Sequence, residues 1–161
     1  RLSGVHKADV LRCYLMHFWG GGYCDIKRLY DSWLPWFHKL NASSRLYAVG
    51  TRETSIYCLW RSPHPYSCHR SNNNLICANQ MICKKQTPLT AAWYQRMRAR
   101  VDVLDLRGKP PAHPRDYRWN RWSRYPVEWE QLAGAFFGEV SYQFRQHIDP
   151  TLPKFRITGY Q

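Results

Sequence analysis

Two charged residues, Asp9 and Arg12, stand inside an otherwise apolar run. Three positions apart on a helix they occupy neighbouring faces, and taking both out of water requires compensation. An internal ion pair supplies it, and on position alone that account is at least as strong as a ligand site. The residues beyond the helix shift the balance. Gly20, Gly21 and Gly22 permit a tight turn and close approach of a ligand to the backbone, and Tyr23, Asp25 and Lys27 come directly after. Carboxylates accept from sugar or ribose hydroxyls, a guanidinium pairs with phosphate or hydroxyl oxygens, and a tyrosine offers a stacking face or a hydroxyl. A carboxylate, a guanidinium and an aromatic converging beside a glycine turn suit a nucleoside diphosphate bearing a sugar.

The elements that must position these residues are legible in outline. Residues 5–19, apolar almost all round, predict a largely buried helix ended by the three glycines. Residues 23–26 predict a short strand with Asp25 and Lys27 at its end, and 28–40 a Trp-rich loop broken at Pro35. Strands are predicted over 46–49, 55–60 and 75–83, with a Pro-, Asn- and Ser-containing loop over 61–74. Pro88 and Thr90 open a second helix running toward Leu104, with Thr87 or Thr90 as its cap. A long Pro-, Arg- and Trp-rich loop over 109–126 precedes a helix over 127–137, and the tail from 149 has no strong pattern. Strands interspersed with helices, without strict alternation, indicate an α/β chain in one domain over residues 1–161.

Composition sets the bounds. With 161 residues, 44% hydrophobic and 16% aromatic, the chain carries ample apolar surface for one core, which argues against a disordered chain. No run approaches the roughly 18 to 20 uncharged apolar residues that a membrane span requires. No signal-peptide pattern opens the chain, which begins abruptly at Arg1. Upstream sequence with any targeting segment is therefore expected, leaving a cytoplasmic or a Golgi or other membrane-associated location open. Lys and Arg total 24 against 11 acids, a net charge of +13, which favours anionic partners: nucleic acid, phosphorylated ligands, acidic glycans or anionic membrane surfaces.

The six cysteines, Cys13, Cys24, Cys58, Cys68, Cys77 and Cys83, lack the close pairs of a structural zinc site, and reduced, mostly buried thiols are expected. His64, His69 and His113 read as solvated loop histidines. From Arg118 to Tyr125 cations interleave with aromatics, the pattern of a nucleic-acid-binding module. No zinc knuckle, helix-turn-helix or RNA-recognition sequence accompanies it, and the same mixture would serve a sugar-binding loop, so this reading ranks second.

The text Lys7-Ala8-Asp9-Val10-Leu11-Arg12, then Tyr14-Leu15-Met16, then Gly21-Gly22-Tyr23-Cys24-Asp25-Ile26-Lys27 resembles the DXD-containing sugar-binding region of GT-A-type glycosyltransferases. It is closest to the family that includes yeast-type mannosyltransferases, capsular polysaccharide synthesis proteins and glucosylating bacterial toxins. The match covers about twenty residues and is specific because Asp, Arg, Gly-Gly, Tyr and Asp all keep their spacing. The resemblance implies a Rossmann-related α/β fold whose first nucleotide-binding strands precede this chain, making it the carboxy-terminal part of a catalytic domain. It also implies retaining transfer of a sugar from a nucleoside diphosphate donor to a carbohydrate or protein acceptor.

Carried over position by position, Asp9 and Arg12 would hold the donor sugar or its nucleotide. Gly21, Gly22 and Tyr23 would line that pocket, and Asp25 would be the first acid of the DXD. Asp25 and Lys27 would act on the departing diphosphate. The departure from the pattern is Lys27, where the family has its second acid. Such enzymes use Mn2+ or Mg2+ bridged by the two carboxylates, and here only Asp25 remains as a metal ligand. Three readings stand: a metal-independent or weakly metal-dependent transferase in which Lys27 supplies the positive charge, a metal held by other ligands, or an inactive relative that binds nucleotide sugar or glycan. A looser likeness extends through Asn72–Asn74, the strand to Cys83 and the Pro88 helix with Trp93; Glu128 and Glu130 read first as first-turn acids favoured by the helix dipole, and second as groups facing the acceptor.

Overall fold

A computed structural model of the chain describes residues 2–27, 29–53, 75–104, 127 and 131–154. The first helix, α1, spans Gly4–Phe18, and Ser3 caps it by accepting the His6 N–H on its Oγ at 3.3 Å. It stops at the glycines, as expected. Gly20 has φ of 68°, and a Cβ there would meet Lys85 N at 2.8 Å and Cys83 O at 2.9 Å, so both conformation and space require glycine. Gly21 and Gly22 belong to a strand, β1 (Gly21–Cys24), rather than to the turn. Asp25 comes immediately after the strand.

The segment read as a loop broken at Pro35 carries a helix, α2 (Leu34–Ala42), with Pro35 in its first turn. Proline lacks only an N–H that an opening turn leaves unused, and Trp33, Trp36, Phe37 and Leu40 repeat at helical spacing. Strand β2 is Ala48–Arg52, two residues later than expected, and β3 is Ile76–Cys83. Helix α3 is Pro88–Asp102; Thr87 is its cap, and Thr90 completes a capping box with it. Helix α4 runs Gly134–Gln143 and so begins later than the sequence suggested, although Phe137 lies in it. The patternless tail supplies a short last strand, β4 (Ile148–Asp149).

The protein is a mixed α/β structure. Its sheet has the order β1-β3-β2-β4, with β3 antiparallel to both neighbours and β4 parallel to β2. Strand alternation sends Met81, Cys83, Ala48 and Ile148 to one face, where they pack with Cys13 and Met16 of α1, Leu89, Trp93 and Met97 of α3, and Phe137 and Val140 of α4. The other face carries Val49 and Ile82, covered by Leu40, Trp36 and Phe37 of α2 and by Leu152. Helices therefore lie on both faces. Trp93, fully buried, meets the Phe137 ring at 4.5 Å between centroids.

One irregularity matters for the site. Gly50 pairs with Met81 but Arg52 pairs with Ile76, so β3 carries extra residues between these partners. Within that stretch lies Ala78, whose carbonyl is used elsewhere.

Helix α1 departs from the expectation of a largely buried element. His6, Asp9, Arg12, Cys13 and Met16 form its buried stripe, but Leu11 is 55% and Trp19 73% exposed, and Leu15 and Phe18 are also exposed. Apolar composition all round did not bring cover all round, because the sheet and α3 can only meet one side of the cylinder. Among the described cysteines, Cys13 and Cys83 are buried free thiols, while Cys24 and Cys77 are partly exposed. The strand read at 55–60, the loops at 61–74 and 109–126, Cys58, Cys68, His64, His69, His113, the run from Arg118 to Tyr125, Glu128 and Glu130 lie outside the described residues.

Candidate functional site

The chemistry-bearing residues of the amino end are gathered by three elements: α1, the end of β1 and the irregular part of β3. Arg12 is the hub. Its Nη2 donates to Asp9 Oδ1 at 2.6 Å and its Nη1 to the Ala78 carbonyl at 2.7 Å. The guanidinium carbon lies 4.5 Å from the centroid of the Tyr23 ring, a cation–π contact, and Nη1 is 3.7 Å from Asp25 Oδ1.

Tyr23 in turn donates its hydroxyl to Asp25 Oδ1 at 2.9 Å. The two residues share a strand face because they are two apart. Asp25 is held from behind as well, its N–H donating to Asn79 O at 2.9 Å.

The cluster is graded in depth. Asp9 and Arg12 are under a tenth exposed, whereas the Asp25 side chain is 30% exposed. Burial pushes the Asp9 carboxyl up to about 6; Arg12 pulls against that rise and the charge of Asp25 adds to it. Tyr23 is raised above the usual phenol range by burial first, with Arg12 opposing and Asp25 adding, so it stands as a hydroxyl donor. Arg12 Nε is buried without a hydrogen-bond partner.

The structure thus brings together Asp9, Arg12, Tyr23 and Asp25. The ion pair and the polar constellation are one arrangement, although the sequence offered them as competing accounts. Gly21, with φ of 91°, has open space where a Cβ would stand. Gly22 lies on the opposite strand face, where a Cβ would come within 2.9 Å of the Trp33 ring, so its lack of a side chain serves the packing of α2. Lys27 is half-buried two residues beyond Asp25, and its charge acts on the Cys24 thiol, which burial raises.

Sequence reasoning missed Ala78. No residue type marks this role, because every residue carries a backbone carbonyl; only the interrupted β2–β3 register makes this one available to Arg12. Ala78 also borders a small hollow lined by Glu53, Leu75, Ile76, Gly134, Phe137 and Gly138. Comparison of the chain with protein-family models, with curated proteins and with solved structures gives no match, so the meaning of this cluster rests on its own residues and geometry.

Proposed function

We propose that the chain forms the donor site of a retaining, GT-A-type glycosyltransferase, which moves a sugar from a nucleoside diphosphate donor to a carbohydrate or glycoprotein acceptor. The observation that carries this reading is the convergence of Asp9, Arg12, Tyr23 and Asp25 on one patch, graded from a buried ion pair to a part-exposed carboxylate. Asp25 Oδ1 is engaged by Tyr23, which leaves Oδ2 to accept from sugar hydroxyls. In this reading Lys27, two residues along the chain, is the cation assigned to the charge that grows on the diphosphate as its bond to the sugar breaks. Among the described residues, β1 stands at an edge of the sheet, with Asp25 immediately after it.

The resemblance also implies Mn2+ or Mg2+, and the described residues do not fit one. Asp25 Oδ1 already accepts from Tyr23 and faces Arg12, and the nearby carboxylate of Asp9 is buried in its ion pair. Lys27 brings a positive charge to the position of the second acid. An ammonium in place of the second acid removes one carboxylate ligand and repels a divalent cation, which weakens metal binding at this position. The site is accordingly read as one in which side-chain cations meet the diphosphate.

The test is a panel of UDP-, GDP- and CMP-sugars, assayed for binding and hydrolysis by the full-length protein with manganese, magnesium or chelator. Turnover of a nucleoside diphosphate sugar that survives chelation, and that is lost in both Asp9→Ala and Asp25→Ala, is the expected result. Normal turnover in both variants, or no binding of any member, would sink the assignment.

A further inference from the structure

We infer that Arg12 is a positioning residue, which sets the place of the Asp25 carboxylate and does not itself touch the donor. Direct contact is the role the resemblance implies, and the geometry points away from it. Each of the two terminal nitrogens already donates to a protein acceptor, Asp9 Oδ1 at 2.6 Å and Ala78 O at 2.7 Å. The Tyr23 ring covers the guanidinium, and Nε is sealed from solvent. Each terminal nitrogen keeps a second N–H, but with the side chain only 8% exposed and the Tyr23 ring packed on it, a phosphate or sugar oxygen reaches that N–H only by opening this packing.

Three routes lead from Arg12 to Asp25. The first is direct, Nη1 to Oδ1 at 3.7 Å. The second runs through Tyr23, whose ring lies on the guanidinium and whose hydroxyl donates to Asp25 Oδ1 at 2.9 Å. The third runs through β3: Arg12 holds the Ala78 carbonyl, and the next residue, Asn79, accepts the Asp25 N–H at 2.9 Å. That part of β3 is where the pairing with β2 is interrupted, so it lacks the full ladder that would otherwise fix it. Arg12 takes the place of the missing rungs. Asp9 supplies the counter-charge that lets a guanidinium serve there. A lysine cannot reproduce the arrangement, having a point charge and no planar fork to span two acceptors.

The donor arm of the test rests on the proposed function; the structural arm does not. In the structural arm, amide hydrogen exchange is measured at Asp25 in the wild type, Arg12→Lys and Arg12→Ala, with Val49 as a remote control. Exchange at Asp25 should quicken by about tenfold or more in both variants relative to Val49, as expected when one local restraint is lost. Unchanged protection at Asp25 would overturn the inference. Should Arg12→Ala fail to fold, Arg12→Lys alone decides.

In the donor arm, binding of UDP-glucose and GDP-mannose is measured for Arg12→Lys, Asp25→Asn and the double variant. If Arg12 works through Asp25, Arg12→Lys weakens binding in the wild-type background but changes it by less than about twofold once Asp25 is Asn. Independent, multiplying losses would mean that Arg12 meets the donor itself, and would overturn the inference. Absence of binding to either probe in the wild type counts against the glycosyltransferase reading, and exchange at Asp25 then decides the positioning role.

Discussion

Asp9→Asn isolates the electrostatics of the site. The wild-type carboxyl, ordinarily near 3.8, is pushed up to about 6 in the folded chain, chiefly by burial. A folded acid that holds its proton more tightly than the unfolded one must lose stability when it ionises. Asp9's contribution is therefore fully present below about pH 4, drains away as the pH rises to about 6, and is absent at neutrality. The gap between the two pKa values converts to about 3 kcal/mol. Asn keeps an oxygen for Arg12 Nη2 and cannot ionise, so its stability curve lacks this slope. At Asp149 burial raises the pKa, but hydrogen bonds to Lys39 and Thr151 outweigh it and lower the carboxyl below its ordinary value, so that group contributes in the opposite sense below about pH 4. Asp149 is common to both proteins and cancels in their difference. Urea unfolding at pH 4, 5, 6 and 7 should show the wild type losing stability relative to Asp9→Asn by up to about 3 kcal/mol across this range. Parallel curves, or a wild type that gains on the variant as the pH rises, would refute the reasoning.

Tyr23→Phe removes the hydrogen bond to Asp25 but keeps the ring on Arg12. Donor binding measured by calorimetry should weaken by about tenfold, while the urea midpoint moves by no more than a bond worth about 1 kcal/mol allows. Thr87→Ala breaks the capping box of α3 and should cost about 1 kcal/mol in thermal or urea unfolding. Trp93→Ala empties the centre of the larger core, and a loss of about 3 to 5 kcal/mol is expected from the same measurement.

Much of the frame was legible because it depends on local rules. The Thr87 cap, the glycine stop after Phe18 and the apolar run of β3 are signals carried within a few residues. The α2 helix was equally local, since Trp33, Trp36, Phe37 and Leu40 mark one face; Pro35 obscured it because a proline ends a helix in most positions but opens one in the first turn. Strand β4 was not legible. Two residues make no pattern, and Ile148 and Asp149 become a strand only because β2 offers a parallel edge to pair with.

The same division runs through the site. Residue order established which groups are present, a carboxylate and a guanidinium three apart on a helix, then an aromatic and a second carboxylate two apart on a strand, because helical and strand periods dictate which neighbours share a face. What those groups do to one another came from the packing of distant elements. Packing turned Gly22 toward Trp33 and away from the cluster, left the outer side of α1 uncovered, and brought Ala78 from 66 positions along the chain to share Arg12 with Asp9. That last contact hangs on an interrupted register in β3, and a backbone carbonyl carries no signature in the residue to which it belongs.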